Sequence, residues 1–186
     1  MRGQNVQPTS VSDAVRPEPA RAPFPLVAME LDLVTLPELV EPEWRELEAL
    51  PLNSLNQGYD WCSAWWAAHH LSPAVLRGRA MGRTVMLLPL EIVTRYGLRT
   101  LRLPGERFNN LNTGLFSADF PLLEGSALTR FVSDITGSLA PLADILLLDC
   151  MSGPRKGTEN PFSRLAASEN PNPSFQLPLR PTMEET

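Results

Sequence analysis

A chain of 186 residues, 43% hydrophobic and 20% charged, is long enough for one domain with a substantial core, since about 150 residues bury roughly 68–70% of their unfolded surface. Its net charge of -5 and pI near 5.1 exclude nucleic acid or an anionic membrane as the main partner, because either requires a basic surface. No apolar run approaches the roughly 18 residues of a membrane span, and the N-terminus MRGQNVQPTSVSDAV has no apolar core of a signal peptide, so a soluble, cytoplasmic chain is expected.

Residues 1–24 are proline-rich, with almost no large apolar side chain, and read as a disordered tail. The domain is expected to span 25–168, opening on a strand that alternates from Met29 to Val34. Trp44, Leu47 and Leu50 then recur at helical spacing behind Pro42 and Glu43, which predicts a short amphipathic helix ended by Pro51. A second helix is predicted over 59–70, with Trp61, Cys62, Trp65 and Trp66 filling one broad apolar face.

From Ser72 the period changes to two. Strands are predicted over 74–79, 83–93 and 98–103, joined by Ala80-Met81-Gly82 and by a turn at Tyr96-Gly97. Pro89 is tolerable in such a meander only at a bulge or an edge position. Seven arginines (Arg77, Arg79, Arg83, Arg95, Arg99, Arg102, Arg107) stand in this region against two acids (Glu91, Glu106). They read as solvated strand faces, with an anion or partner surface as the alternative.

Leu128, Phe131, Val132 and Ile135 give a helix over 124–139, and Asp144 to Asp149 reads as a continuous apolar strand of the buried kind. A loop at 151–159, a short helix at 160–167 and a hinge at Asn170-Pro171-Asn172-Pro173 follow. The last segment, 169–186, reads as a linker and the truncated start of a second half. Within it Phe175 to Leu179 is a short strand, and Thr182 with Glu185 has the capping-box spacing of a helix start. The predicted fold class is therefore α/β (α+β), a mixed, mostly antiparallel central sheet flanked by helices.

Three segments carry a family resemblance. They are WRELEAL from Trp44, then QGYDWCSAWWAAH with PAVLRGRAMGRTVMLLPLEI, then LRLPGERFNNLNTGLF. Together they resemble the N-terminal region of CelD-like acetyltransferases, the GNAT-type proteins associated with cellulose biosynthesis. The resemblance implies a degenerate GNAT-like fold whose acyl-CoA site lies in a second, C-terminal half. It implies no cofactor bound by this chain, acyl-CoA as the cofactor of the intact family, and the other half or a separately encoded partner as its companion. The acceptor would be an amine or a hydroxyl. A GNAT acyl-CoA loop has the form [RQ]-x-x-G-x-[GA] at a helix start, and no stretch of the chain satisfies it in full.

No residue is assigned as catalytic. Gly153 to Thr158 has the order Lys-Gly-Thr rather than the Gly-Lys-[ST] of a phosphate loop. His69 and His70, the two histidines, point about 100° apart on a helix and cannot jointly ligate a metal. Packing beside Trp65 or Trp66, or capping the helix end, is the ordinary role for such a histidine. Cys62 and Cys150 read as buried free thiols. The most distinctive polar cluster is Arg107, Asn109, Asn110 and Asn112. Amides crowded into an apolar context either satisfy backbone groups in a turn or contact a substrate or a neighbouring domain.

Overall fold

The computed structural model describes residues 29–50, 53, 55–105, 108–109, 111–121, 123–151, 160–162 and 165. The expected N-terminal tail, the loop at 153–158, the hinge, the strand at 175–179 and the capping box lie outside these residues, as do Arg107 and Asn110.

Strand β1 (Glu30–Val34) leads through a short 3-10 turn at Pro37–Val40 into α1 (Glu41–Glu48), and α2 (Tyr59–His69) follows. β2 (Ser72–Ala80), β3 (Arg83–Arg95) and β4 (Leu98–Arg102) form the predicted antiparallel meander. Its two hairpins turn on two residues each. Met81-Gly82 and Tyr96-Gly97 all have positive φ, the conformation whose twist matches paired strands. After the two-residue β5 (Leu115–Phe116), α3 (Gly125–Leu139) crosses over to β6 (Ile145–Leu147). The sheet order is β1-β2-β3-β4-β6, with β5 against β3, and β4–β6 is its parallel pair. This is the mixed, mostly antiparallel sheet flanked by helices that the sequence predicts.

Alternation sorts the strands onto two faces. Ala74, Leu76, Leu88, Leu90 and Leu101 point to one side, where Leu128, Phe131, Ile135 and Leu139 of α3 close over them. That spacing gives α3 one apolar stripe. On the other side Val34, Val75, Leu87 and Leu115 meet Trp44 and Leu47 of α1 with Cys62 and Trp66 of α2. Burial on both faces explains why β3 reads Val85 to Leu90 without a polar interruption.

Four expectations change. The tryptophans of α2 divide between two faces: Cys62 and Trp66 are buried, whereas Trp61 and Trp65 stack on each other 5.5 Å apart and remain half-buried. The pairs 61/65 and 62/66 are each one helical turn apart but rotated about 100° from one another. Second, β6 is a three-residue strand at the sheet edge among the described residues, and Ile145 and Leu147 are 43% and 45% exposed. A short apolar run does not reveal how many neighbours cover it. Third, within the predicted helix 160–167, the described residues Asn160 to Phe162 form a turn. Pro89 sits neither at an outer edge nor at the β2–β3 bulge by Gly78. It lies between the β5 ladder at Met86–Leu87 and the β4 ladder at Glu91–Arg95, where a missing N–H interrupts neither ladder.

Five arginines of the meander are paired with acids, and Arg95 lies over the Tyr96 ring. Arg77 bonds Asp32 and Glu43, Arg79 lies by Glu30 and Asp32, Arg83 bonds Asp119, Arg99 bonds Asp144 and Arg102 bonds Glu91. Burial, the largest single influence, would raise the carboxyl of Asp119, but the Arg83 guanidinium 2.7 Å away and further hydrogen bonds to the carboxylate together hold the group below the usual range. A carboxylate depressed in the folded state stabilises above its unfolded pKa, and that stability is lost as pH falls through the folded value. Asp119→Asn is therefore expected to cost about 1–2 kcal/mol in urea unfolding at pH 7, allowing for the partly exposed Arg83. The difference from the parent should shrink as pH falls below about 4. A gap that stays constant down to acid would sink this account.

Candidate functional site: a closed crevice at the ends of the parallel strands

In open α/β sheets, ligands bind outside the carboxyl ends of parallel strands, where the chain changes direction. Here that place lies beyond Arg102 of β4 and Leu147 of β6. It is filled by amides.

Asn112 is fully buried and forms a parallel bridge with Met151, its N–H donating to the Cys150 carbonyl at 2.8 Å. Its side-chain oxygen accepts from Gln57 Nε2 and from Asn109 Nδ2, both at 3.1 Å, and its Nδ2 donates to Asp149 at 3.3 Å. Asn109 Nδ2 also donates to the Pro104 carbonyl at 2.8 Å. Gln57 is held in turn, because its carbonyl accepts the Trp44 indole N–H at 2.7 Å and its Oε1 accepts from Thr113. Gln57, Pro104, Asn109, Asn112, Thr113, Asp149 and Cys150 are thus tied into one cluster. Its amides satisfy one another and the backbone, as buried polar groups must.

Gly105 makes this closure possible. At φ +100° it adopts a conformation that side chains avoid, and a Cβ there would overlap the Asn109 amide and come within 2.6 Å of the Trp61 ring. Of the four candidates from the sequence, Asn109 and Asn112 are brought together by direct hydrogen bonding. Sequence reading missed Gln57 and Asp149 as their partners. It also missed Asn53, whose amide donates to the Leu47 and Phe116 carbonyls and whose oxygen accepts from the Phe116 N–H. Asn53-Ser54-Leu55-Asn56-Gln57 is a polar stretch between two helices, and such stretches give no sign of which distant loop they satisfy.

A second polar group lies on the open side of α2. Glu91 is buried in β3, accepting from Arg102 Nε and from the Trp65 indole N–H, each at 2.8 Å. Trp65 is flanked by Trp61, by His69 at 4.0 Å and by Phe108 at 5.8 Å. The two histidines take both ordinary roles: His69 packs on Trp65, and His70, at φ +53°, caps α2. Burial first, then Glu91 and Glu48, push the Cys62 thiol well up, which leaves it a poor nucleophile. Burial and Asp149 also raise the half-buried Cys150. Among the described residues no cluster of three metal-ligating side chains occurs, and no helix is long and apolar enough to cross a membrane.

The first turn of α3 carries Gly125-Ser126-Ala127, the glycine and small residue of the acyl-CoA loop form, but the sequence has Leu122 where that form has Arg or Gln. A cavity of about 260 Å³ beside this turn is lined by Met29, Leu31, Ser126, Arg130, Phe131 and Asp134. It is smaller than the ~300–1,000 Å³ of ordinary ligand pockets, and it mixes opposite charges.

No family model matches the sequence, and no curated protein matches it. Among solved structures, a ribosomal-protein-alanine N-acetyltransferase from Brucella melitensis biovar Abortus 2308 is similar over 82% of this chain and 100% of that one, at 17% identity and a TM-score of 0.46.

Proposed function

We propose that this chain is the non-catalytic, GNAT-like half of a CelD-like acyltransferase, serving as a scaffold for the half that binds acyl-CoA. The intact enzyme moves an acyl group to an amine or hydroxyl acceptor, in a setting linked to cellulose or exopolysaccharide synthesis. The closed crevice carries this reading. The place where a parallel pair would admit a ligand holds Gln57, Asn109, Asn112 and Asp149 bonded to one another, and the start of α3 departs from the acyl-CoA form at Leu122. The three segments of family resemblance support it. Arg107 and Asn110 then belong to the contact between halves. A docking role for the Arg-rich hairpins draws less support, because Arg77, Arg79, Arg83, Arg99 and Arg102 each already face an acid.

Titrating acetyl-CoA into the purified chain in a calorimeter tests this. The expected result is no saturable heat, with any dissociation constant weaker than about 1 mM. Micromolar binding, or acyl transfer by this chain alone to any amine or hydroxyl acceptor, would overturn the scaffold role.

A further inference from the structure

In the strand order, β1 stands at the far end from the β4–β6 pair and its closed crevice. There α3 and β1 border the cavity of about 260 Å³. Its walls follow from two periods. On α3, Ser126, Arg130 and Asp134 recur every fourth residue, so a hydroxyl, a guanidinium and a carboxylate stand in one row, with Phe131 in the apolar row beside it. On the strand side Met29 and Leu31 are two residues apart and share a face. Both pack, partly buried, against the core that buries Phe131.

Opposite charges one helical turn apart can simply pair with each other, but such a pair is weaker when the cation comes first in sequence. Arg130 does come first. Among the described residues neither Arg130 nor Asp134 takes part in an ion pair, whereas Arg45, Arg77, Arg79, Arg83, Arg99 and Arg102 all do. Both side chains are exposed, so holding the two charges apart costs little desolvation. A cation and an anion one turn apart, above an apolar floor, complement a molecule with one charge of each sign and an apolar tail. At roughly 30 Å³ per water the volume corresponds to about eight or nine waters, room for a molecule of about that many non-hydrogen atoms.

We infer that this cavity binds an α-amino acid with an aliphatic side chain. The Arg130 guanidinium and the Ser126 hydroxyl donate to its carboxylate, its ammonium donates to Asp134, and its side chain lies on Met29, Leu31 and Phe131. The inference is independent of the scaffold role. The acetyl-CoA titration bears on that role and not on this cavity, so either reading can fail without the other.

Calorimetry on the full chain tests it with three ligands of similar size. They are L-leucine, N-acetyl-L-leucine, whose nitrogen carries no charge, and 3-methylbutylamine, which has no carboxylate. L-Leucine is expected to bind one to one with a dissociation constant below about 1 mM, and each analogue at least about tenfold more weakly, the loss of one charge-assisted hydrogen bond. Arg130→Gln and Asp134→Asn should each weaken L-leucine by a similar factor and leave the thermal midpoint of the unliganded chain unchanged, since both side chains are exposed. Asp134→Asn should also bind L-leucine and N-acetyl-L-leucine alike, a change of selectivity that a merely structural role would not produce. Three results would overturn the inference: no saturable heat from L-leucine up to about 10 mM, binding that survives both substitutions, or equal binding of L-leucine and its N-acetyl form by the parent chain.

Discussion

Glu91→Ala should destabilise the fold by about 3–5 kcal/mol, the range found when one partner of a buried ion pair is removed. The carboxylate is fully buried, and it is the shared acceptor for Arg102 Nε and the Trp65 indole, both at 2.8 Å. Its loss withdraws one acceptor from two donors and opens a space beneath the stacked Trp61–Trp65 pair. Glu91→Gln keeps an oxygen for one donor and should cost less, about 1–3 kcal/mol. Changing Glu91 and Arg102 together to leucine should cost less than the sum of the single changes, because a buried pair can be exchanged for apolar packing at little net loss. Urea unfolding followed by tryptophan fluorescence measures all three. A loss below about 1 kcal/mol for Glu91→Ala would mean that water, not burial, solvates this group.

Most of the fold was legible because its signals are local. Leu128, Phe131 and Ile135 announce α3 by spacing, and the Met81-Gly82 and Tyr96-Gly97 turns announce two hairpins. What was not legible depends on partners distant in sequence. The apolar run at Ile145 has the composition of a central strand, yet among the described residues its second neighbour is absent. Trp61 and Trp65 could not be separated from Cys62 and Trp66 by spacing, because it is the packing of Cys62 and Trp66 with Val75, Leu87 and Leu115 of distant strands that sets which pair is buried. At the site, the asparagines were visible as a cluster, and Asn109 and Asn112 do meet. Their acceptors and donors, Gln57 and Asp149, stand 55 and 37 residues from Asn112. No pattern within a short window encodes that pairing.

The same cluster yields a prediction that separates a structural plug from a ligand site. Asn112→Ala removes an oxygen that serves Gln57 and Asn109 in a buried setting and a donor that serves the partly buried Asp149. Each buried group left without its partner costs about 1–3 kcal/mol, so a loss of about 2–4 kcal/mol is expected once some relaxation is allowed. Asn112→Asp is nearly the same shape but sets a carboxylate against Asp149, where the amide N–H now donates at 3.3 Å. At neutral pH it should therefore be at least as damaging as Asn112→Ala, and part of the deficit should return on mild acidification as the repulsion is neutralised. Neither change should create acetyl-CoA binding, because the Asn112–Met151 backbone bridge still closes the crevice when the side chain is trimmed. Thermal melts of the two variants, with acetyl-CoA titrations at the same temperature, provide the readout. Stability held within about 0.5 kcal/mol of the parent would deny Asn112 its structural role, and binding gained on trimming would show that the amide alone had kept a ligand out.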